Sequence, residues 1–128
     1  MAYSANVTIT FDGPRLVVLV EETEASASTE KAITGLPVSG RVLIQSADKI
    51  SGGSATIDPV LTTASGSTLS IETVIENGDA AATISNLAEP HIPYYSATGT
   101  LWHRSKCSGA DTDNTVKTVY LIVPGWGE

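Results

Sequence analysis

A chain of 128 residues, 41% hydrophobic and 16% charged, is the size of one domain and carries enough apolar mass to bury a core without staples. Fourteen acidic against seven basic residues give a formal charge of −7, and the cations (Arg15, Lys31, Arg41, Lys49, Arg104, Lys106, Lys117) are scattered, which argues against a nucleic-acid partner. A lone cysteine, Cys107, excludes an intrachain disulfide framework and reads as a free thiol.

Residues 1–5 lack the basic region and apolar core of a secretory signal, so synthesis in a cytoplasm is expected. Val7-Thr8-Ile9-Thr10-Phe11 alternates apolar and polar with period two, the pattern of a strand with one buried face. Asp12-Gly13-Pro14 breaks it. Leu16 to Val20 is apolar at every position and fits a central strand covered on both sides; five residues are too few to cross a bilayer, and no membrane partner is expected. Residues 21–30 are small and polar with no apolar stripe, which predicts a mobile surface loop.

Residues 35–40 read as turns, followed by a short strand over Arg41–Gln45 that residues 46–49 end. Ala55–Asp58 restarts a strand that Pro59 places at an edge or an end. Residues 68–74 form another, and Asn77-Gly78 predicts a hairpin returning along Ala81–Ile84. Pro90 and Pro93 bracket an extended crossing through Tyr94-Tyr95. Gly99–Ser105 is expected to pair with Thr115–Val123, the most β-rich run, which Pro124-Gly125 stops to leave a tail over 124–128. The sum is a single all-β domain over 1–128, a sandwich or jelly-roll-like fold of eight or nine short, mostly antiparallel strands. Val42, Ile44, Leu69, Ile71, Leu101, Tyr120 and Ile122 are its expected core.

Few residues carry chemistry. Asp111-Thr112-Asp113-Asn114 resembles the start of a calcium loop, but Thr115 replaces the turn glycine and the closing glutamate is missing, so a hairpin loop is expected and no metal. No Gly-x-Ser-x-Gly elbow occurs; His103 is expected to pack or hydrogen-bond, and His91 to sit in the irregular crossing between Pro90 and Pro93, rather than either serving as a base beside a serine and an acid. The pairs Glu21/Glu22 and Glu72/Glu76 imitate glycosidase carboxylates yet read as solvated charge. No catalytic residue and no cofactor are expected. Tyr94, Tyr95, Trp102 and Trp126 are candidates for stacking on sugar rings or for partner binding. Tyr3 and Trp126, near the two ends, are candidate anchors on a neighbouring subunit.

Three stretches resemble small structural proteins of tailed bacteriophages: Ile33-Thr34-Gly35-Leu36-Pro37-Val38-Ser39-Gly40-Arg41-Val42, Gly52-Gly53-Ser54-Ala55-Thr56-Ile57-Asp58-Pro59, and Gly99-Thr100-Leu101-Trp102-His103-Arg104-Ser105 with Ser108-Gly109-Ala110-Asp111. They are mainly turn and strand grammar and bring no catalytic residue. The resemblance implies a β-sandwich assembled on head, neck or tail, with major capsid protein or other virion subunits as partners. It also implies a homo-oligomer, since capsid cement proteins of this kind are often trimeric. The expected function is that of a non-enzymatic virion protein, a capsid decoration (cement) protein; the alternatives are a neck or tail component and a carbohydrate-binding module.

Overall fold

The alternation at Val7–Phe11 extends in both directions, so that β1 (Ser4–Asp12) and β2 (Arg15–Ala25) form a hairpin with Asp12 opposite Arg15. Gly13 lies at φ 64°, the left-handed conformation that a two-residue hairpin loop asks of its first residue. The computed structural model describes residues 2–52, 55–65, 73–76, 83–85, 92–108 and 113–124. Along the chain follow β3 (Lys31–Ile33), β4 (Ser39–Ser51), β5 (Val60–Thr62), β6 (Thr73–Glu76), β7 (Thr83–Ser85), β8 (Ile92–Tyr95), β9 (Leu101–Arg104) and β10 (Asn114–Pro124). They make two sheets, one in the order β1-β2-β10-β4-β7 with β8 also on β4, the other β3-β9-β5-β6. Every pairing is antiparallel. The all-β fold expected from the sequence is therefore the fold observed. No helix among the described residues is long and apolar enough to cross a membrane.

Leu16, Val18 and Val20 of β2, Val42 and Ile44 of β4, and Tyr120 and Ile122 of β10 share one face of the first sheet. With Ile33, Leu36, Leu61, Tyr94 and Leu101 they form the main core. Of the expected core, Val42, Ile44, Leu101, Tyr120 and Ile122 are buried to within 1%; Leu69 and Ile71 lie outside the described residues. A smaller cluster holds Ala25, Ala47, Ala55, Ile57, Cys107 and Val116. Each buried Val, Leu or Ile contributes about 1.5–3 kcal/mol.

Several local expectations need correction, and two of the errors trace to bulges. The stretch 21–30 is not a loop throughout, because β2 runs on to Ala25. On β2, Thr23 and Glu24 together oppose Thr115 alone, and Glu24 takes φ 58°. That bulge shifts the phase, so that Glu22 and Ala25, three residues apart, both face inward. β4 likewise does not stop at Gln45. A second bulge between its contacts with Val119 and Tyr120 leaves Gln45 unpaired, and the strand continues to Ser51 with Ala47 buried.

Residues 55–58 make one bridge at Ile57, and the strand proper starts only at Val60, after Pro59. There Asp58 N–H donates to Ser105 O at 2.8 Å and Ser108 N–H to Thr56 O at 2.9 Å. The Asn77-Gly78 turn lies outside the described residues, but its flanking strands do not form a hairpin: β6 pairs with β5 in one sheet and β7 with β4 in the other. Nor does residue 99–105 pair with 115–123. β9 lies between β3 and β5, whereas β10 fills the gap between β2 and β4. The first and third of the resembling stretches do meet, because Leu36 N–H donates to Gly99 O at 3.0 Å and a Cβ on Gly99 would stand 2.5 Å from Leu36 O.

Candidate functional site

Following Leu16, Val18 and Val20 inward along β2, the next residue in phase is Glu22, fully buried. From the facing sheet, His103 of β9 and Ser105 just beyond it point at the same spot, both with 0% exposure. His103 Nε2 lies 3.0 Å from Glu22 Oε1, and Ser105 Oγ donates to that same oxygen. Tyr3 O–H donates to Glu22 Oε2 at 2.7 Å. On the other side of the imidazole, Nδ1 lies 2.5 Å from Tyr120 Oη, with the two rings edge to face at 5.5 Å. Glu22 stands between Val20 of the larger apolar cluster and Ala25 of the smaller, so this polar knot separates the two.

The donors converge on the carboxylate: His103 Nε2–H, Ser105 Oγ–H and Tyr3 O–H all donate to Glu22, while Nδ1 and the Tyr120 hydroxyl share a hydrogen bond. Burial pushes the Glu22 carboxyl up, but the His103 imidazole and the donors from His103, Ser105 and Tyr3 more than offset this and hold it below the ordinary value of 4.5. The buried carboxylate in turn acts on its neighbours. Burial first, then Glu22, pushes the Tyr3 and Tyr120 phenols well above their ordinary range and the Cys107 thiol up to about 11. Cys107 is thus held as an unreactive thiol.

A buried Ser, His and acid invite comparison with a nucleophile relay, but the wiring differs. In a relay the two ring nitrogens are divided between the serine and the acid. Here Ser105 and Glu22 both meet Nε2, and Nδ1 is taken by Tyr120. The knot's chemistry is instead that of a clasp: His103 and Ser105 from one sheet are tied to Glu22 and Tyr120 of the other. A fully bonded polar network of this kind fixes how two layers sit on each other, which apolar contacts alone leave loose.

The residues singled out from the sequence are dispersed. Tyr3 is tied to its own chain through Glu22. Tyr94 is buried, donates to Pro37 O at 2.8 Å, and burial pushes its phenol up to about 12. Tyr95, its neighbour on β8, points the other way and is 67% exposed. Trp102 is half-buried on β9, in the second sheet. The three aromatics therefore do not share one platform. Trp126, His91 and Glu72 lie outside the described residues. Glu21, exposed, stands 4.0 Å from Lys117, and so parts from Glu22 as adjacent strand residues must. Asn114 turns inward and donates to Ala25 O at 2.9 Å, leaving Asp113 exposed. Among the described residues no group of three or more His, Cys, Asp or Glu side chains could hold a metal ion.

What the sequence reading missed is the outward face of the first sheet. Val17, Leu121 and Leu43 stand in one cross-strand row, with Leu19 and Val119 beside them and Val123 beyond. Leu121, in the middle, is buried by its neighbours to 8%; the others are half-buried. The uniformly apolar run Leu16–Val20 was the signal: its odd members look outward and are not covered by the second sheet. Exposed Arg15 and Arg41 mark one end of this band, exposed Glu21, Asp48 and Lys117 the other. Comparison with family models, curated proteins and solved structures finds no match, so chemistry and geometry are what speak for a function.

Proposed function

We propose that this chain is a non-enzymatic structural subunit of a tailed-bacteriophage virion, a decoration protein that seats on the capsid shell and stabilises it. The observation that carries this reading is the half-buried apolar band Val17, Leu19, Leu43, Val119, Leu121 and Val123 on the face of the first sheet that, among the described residues, the second sheet does not cover. A half-buried apolar row on the outward face of an acidic protein suits a surface that docks onto other subunits. Each leucine covered contributes about 1.5–3 kcal/mol, and many copies on one shell multiply the gain. The acidic remainder suits the outside of a shell rather than contact with packaged DNA.

Particles purified from lysates of the cell that carries this gene supply the test. Gel densitometry is expected to show the chain at a copy number comparable with the shell protein. A single ring's worth of copies would assign it to the neck or tail instead, and absence from the particles would overturn the reading. Leu19→Asp combined with Leu43→Asp, both on the outward face, is expected to abolish binding to stripped particles while leaving the melting temperature within a few degrees.

A further inference from the structure

Among the described residues β1 pairs on one side only, with β2, and its other edge is open. Open edges are usually guarded by lysine, proline, a bulge or shortness. β1 has none of these: it is nine residues long, pairs with β2 in continuous register, and carries a single charge, Asp12, at its end. Asp12 and Arg15 close the two-residue loop and so exchange hydrogen bonds, which turns the backbone of Asp12, Thr10, Thr8 and Asn6 toward β2. By the same alternation Phe11, Ile9, Val7 and Ala5 present their N–H and C=O groups to the open side.

We infer that β1 is a homodimer edge, pairing antiparallel with β1 of a second copy about a two-fold axis through Thr8, so that two first sheets become one. The strand matches itself in that register. Thr8 meets Thr8, Val7 meets Ile9, Asn6 meets Thr10, and Phe11 meets Ala5. The pairs Val7/Ile9 and Ala5/Phe11 are those whose backbone groups face outward, so they exchange hydrogen bonds, while Thr8 faces its counterpart across a non-bonded pair.

Side chains agree with the backbone. Phe11 is the most exposed large hydrophobic residue of the described chain, at 74%. Its partner across the two-fold, Ala5, lines with Val7, Ile9, Lys31 and Ala32 an open groove of about 400 Å³ between β1 and β3. A large ring without cover is thus set opposite a small residue beside an unfilled groove, and the two-fold makes that match twice. The pairing requires nothing of a virion and occurs between free chains.

Sedimentation equilibrium on the full chain, at concentrations up to about 100 μM, tests it. The wild type is expected at twice the chain mass. Thr8 is exposed, so Thr8→Lys leaves the fold intact, as circular dichroism checks, yet sets two cations face to face and is expected to give the single-chain mass. Thr8→Glu alone is expected to do the same, and an equimolar mixture of the two variants to restore the double mass as a heterodimer. A wild type that stays monomeric overturns the inference and leaves the edge to a strand from another protein. A Thr8→Lys variant that stays dimeric, or a mixture that stays monomeric, overturns the interface or its register. None of these outcomes depends on whether the chain is found on particles.

Discussion

Glu22 decides how this protein responds to acid. Its carboxyl is held below 4.5 in the folded state, so its contribution is fully present above that pH and is lost as pH falls through the lower folded value. Wild-type melting temperature is therefore expected to drop steeply below about pH 4.5. Glu22→Gln, which cannot ionise, is expected to show a flatter acid limb and a lower melting temperature at neutral pH. Glu22→Ala, which strands His103, Ser105 and Tyr3, is expected to cost about 3–5 kcal/mol at pH 7. Calorimetry across pH 3–8 reads all three, and an unchanged acid limb in Glu22→Gln would assign the acid response elsewhere. Nothing in the composition marks Glu22 among its acidic neighbours Glu21 and Glu24. Only its phase with Leu16, Val18 and Val20 does, and an apolar-to-acidic change along one face reads more readily as the end of a strand than as a charge taken inside. His103 was legible as a packed, hydrogen-bonded side chain; its partners, 81 and 17 residues away, were not.

At the scale of elements, the bulge in β2 places a charged L-residue at φ 58°. A side chain there costs about 1–2 kcal/mol, part of which glycine returns as chain entropy. Glu24→Gly is thus expected to raise stability by up to about 1 kcal/mol, read as a shift in urea midpoint at constant slope. A loss would mean that the Glu24 side chain matters more than its backbone. The two bulges also explain what pattern reading got right and wrong. β1, the first part of β2 and the last strand keep a steady period of two, and their existence and faces are plain from sequence. At Thr23–Glu24 and at Gln45 the period slips by one residue, and a reader of alternation sees a strand stop where it only changes phase. Pairing is harder still. β9 and β10 are sequence neighbours with a turn-rich segment between them, which favours a hairpin, yet each completes a different sheet. That choice is made by long-range burial of Leu101 and Tyr120 on facing layers, and no local signal encodes it.

For the whole molecule, the placement of β10 matters most. It lies between β2 and β4, joining a hairpin from the first 25 residues to a strand from the middle of the chain. Of the ten strands among the described residues it is also the last to be synthesised. Until residues 114–124 leave the ribosome, β2 and β4 each carry an open edge and an uncovered apolar face, and the Glu22 clasp lacks Tyr120. Nascent chains stalled before Asn114 are therefore expected to be digested by protease as unfolded polypeptide, and those stalled well beyond Pro124 to resist. Protection of the shorter chains would show that the sheet closes without its middle strand. Refolding of the full chain is expected in the slow range of β-rich topologies, milliseconds to seconds. A protein built this way commits to its shape only once β10 has emerged from the ribosome. Every earlier moment leaves sticky edges in the cell, and making many copies at once calls for either fast elongation through the last strand or a chaperone to wait with it.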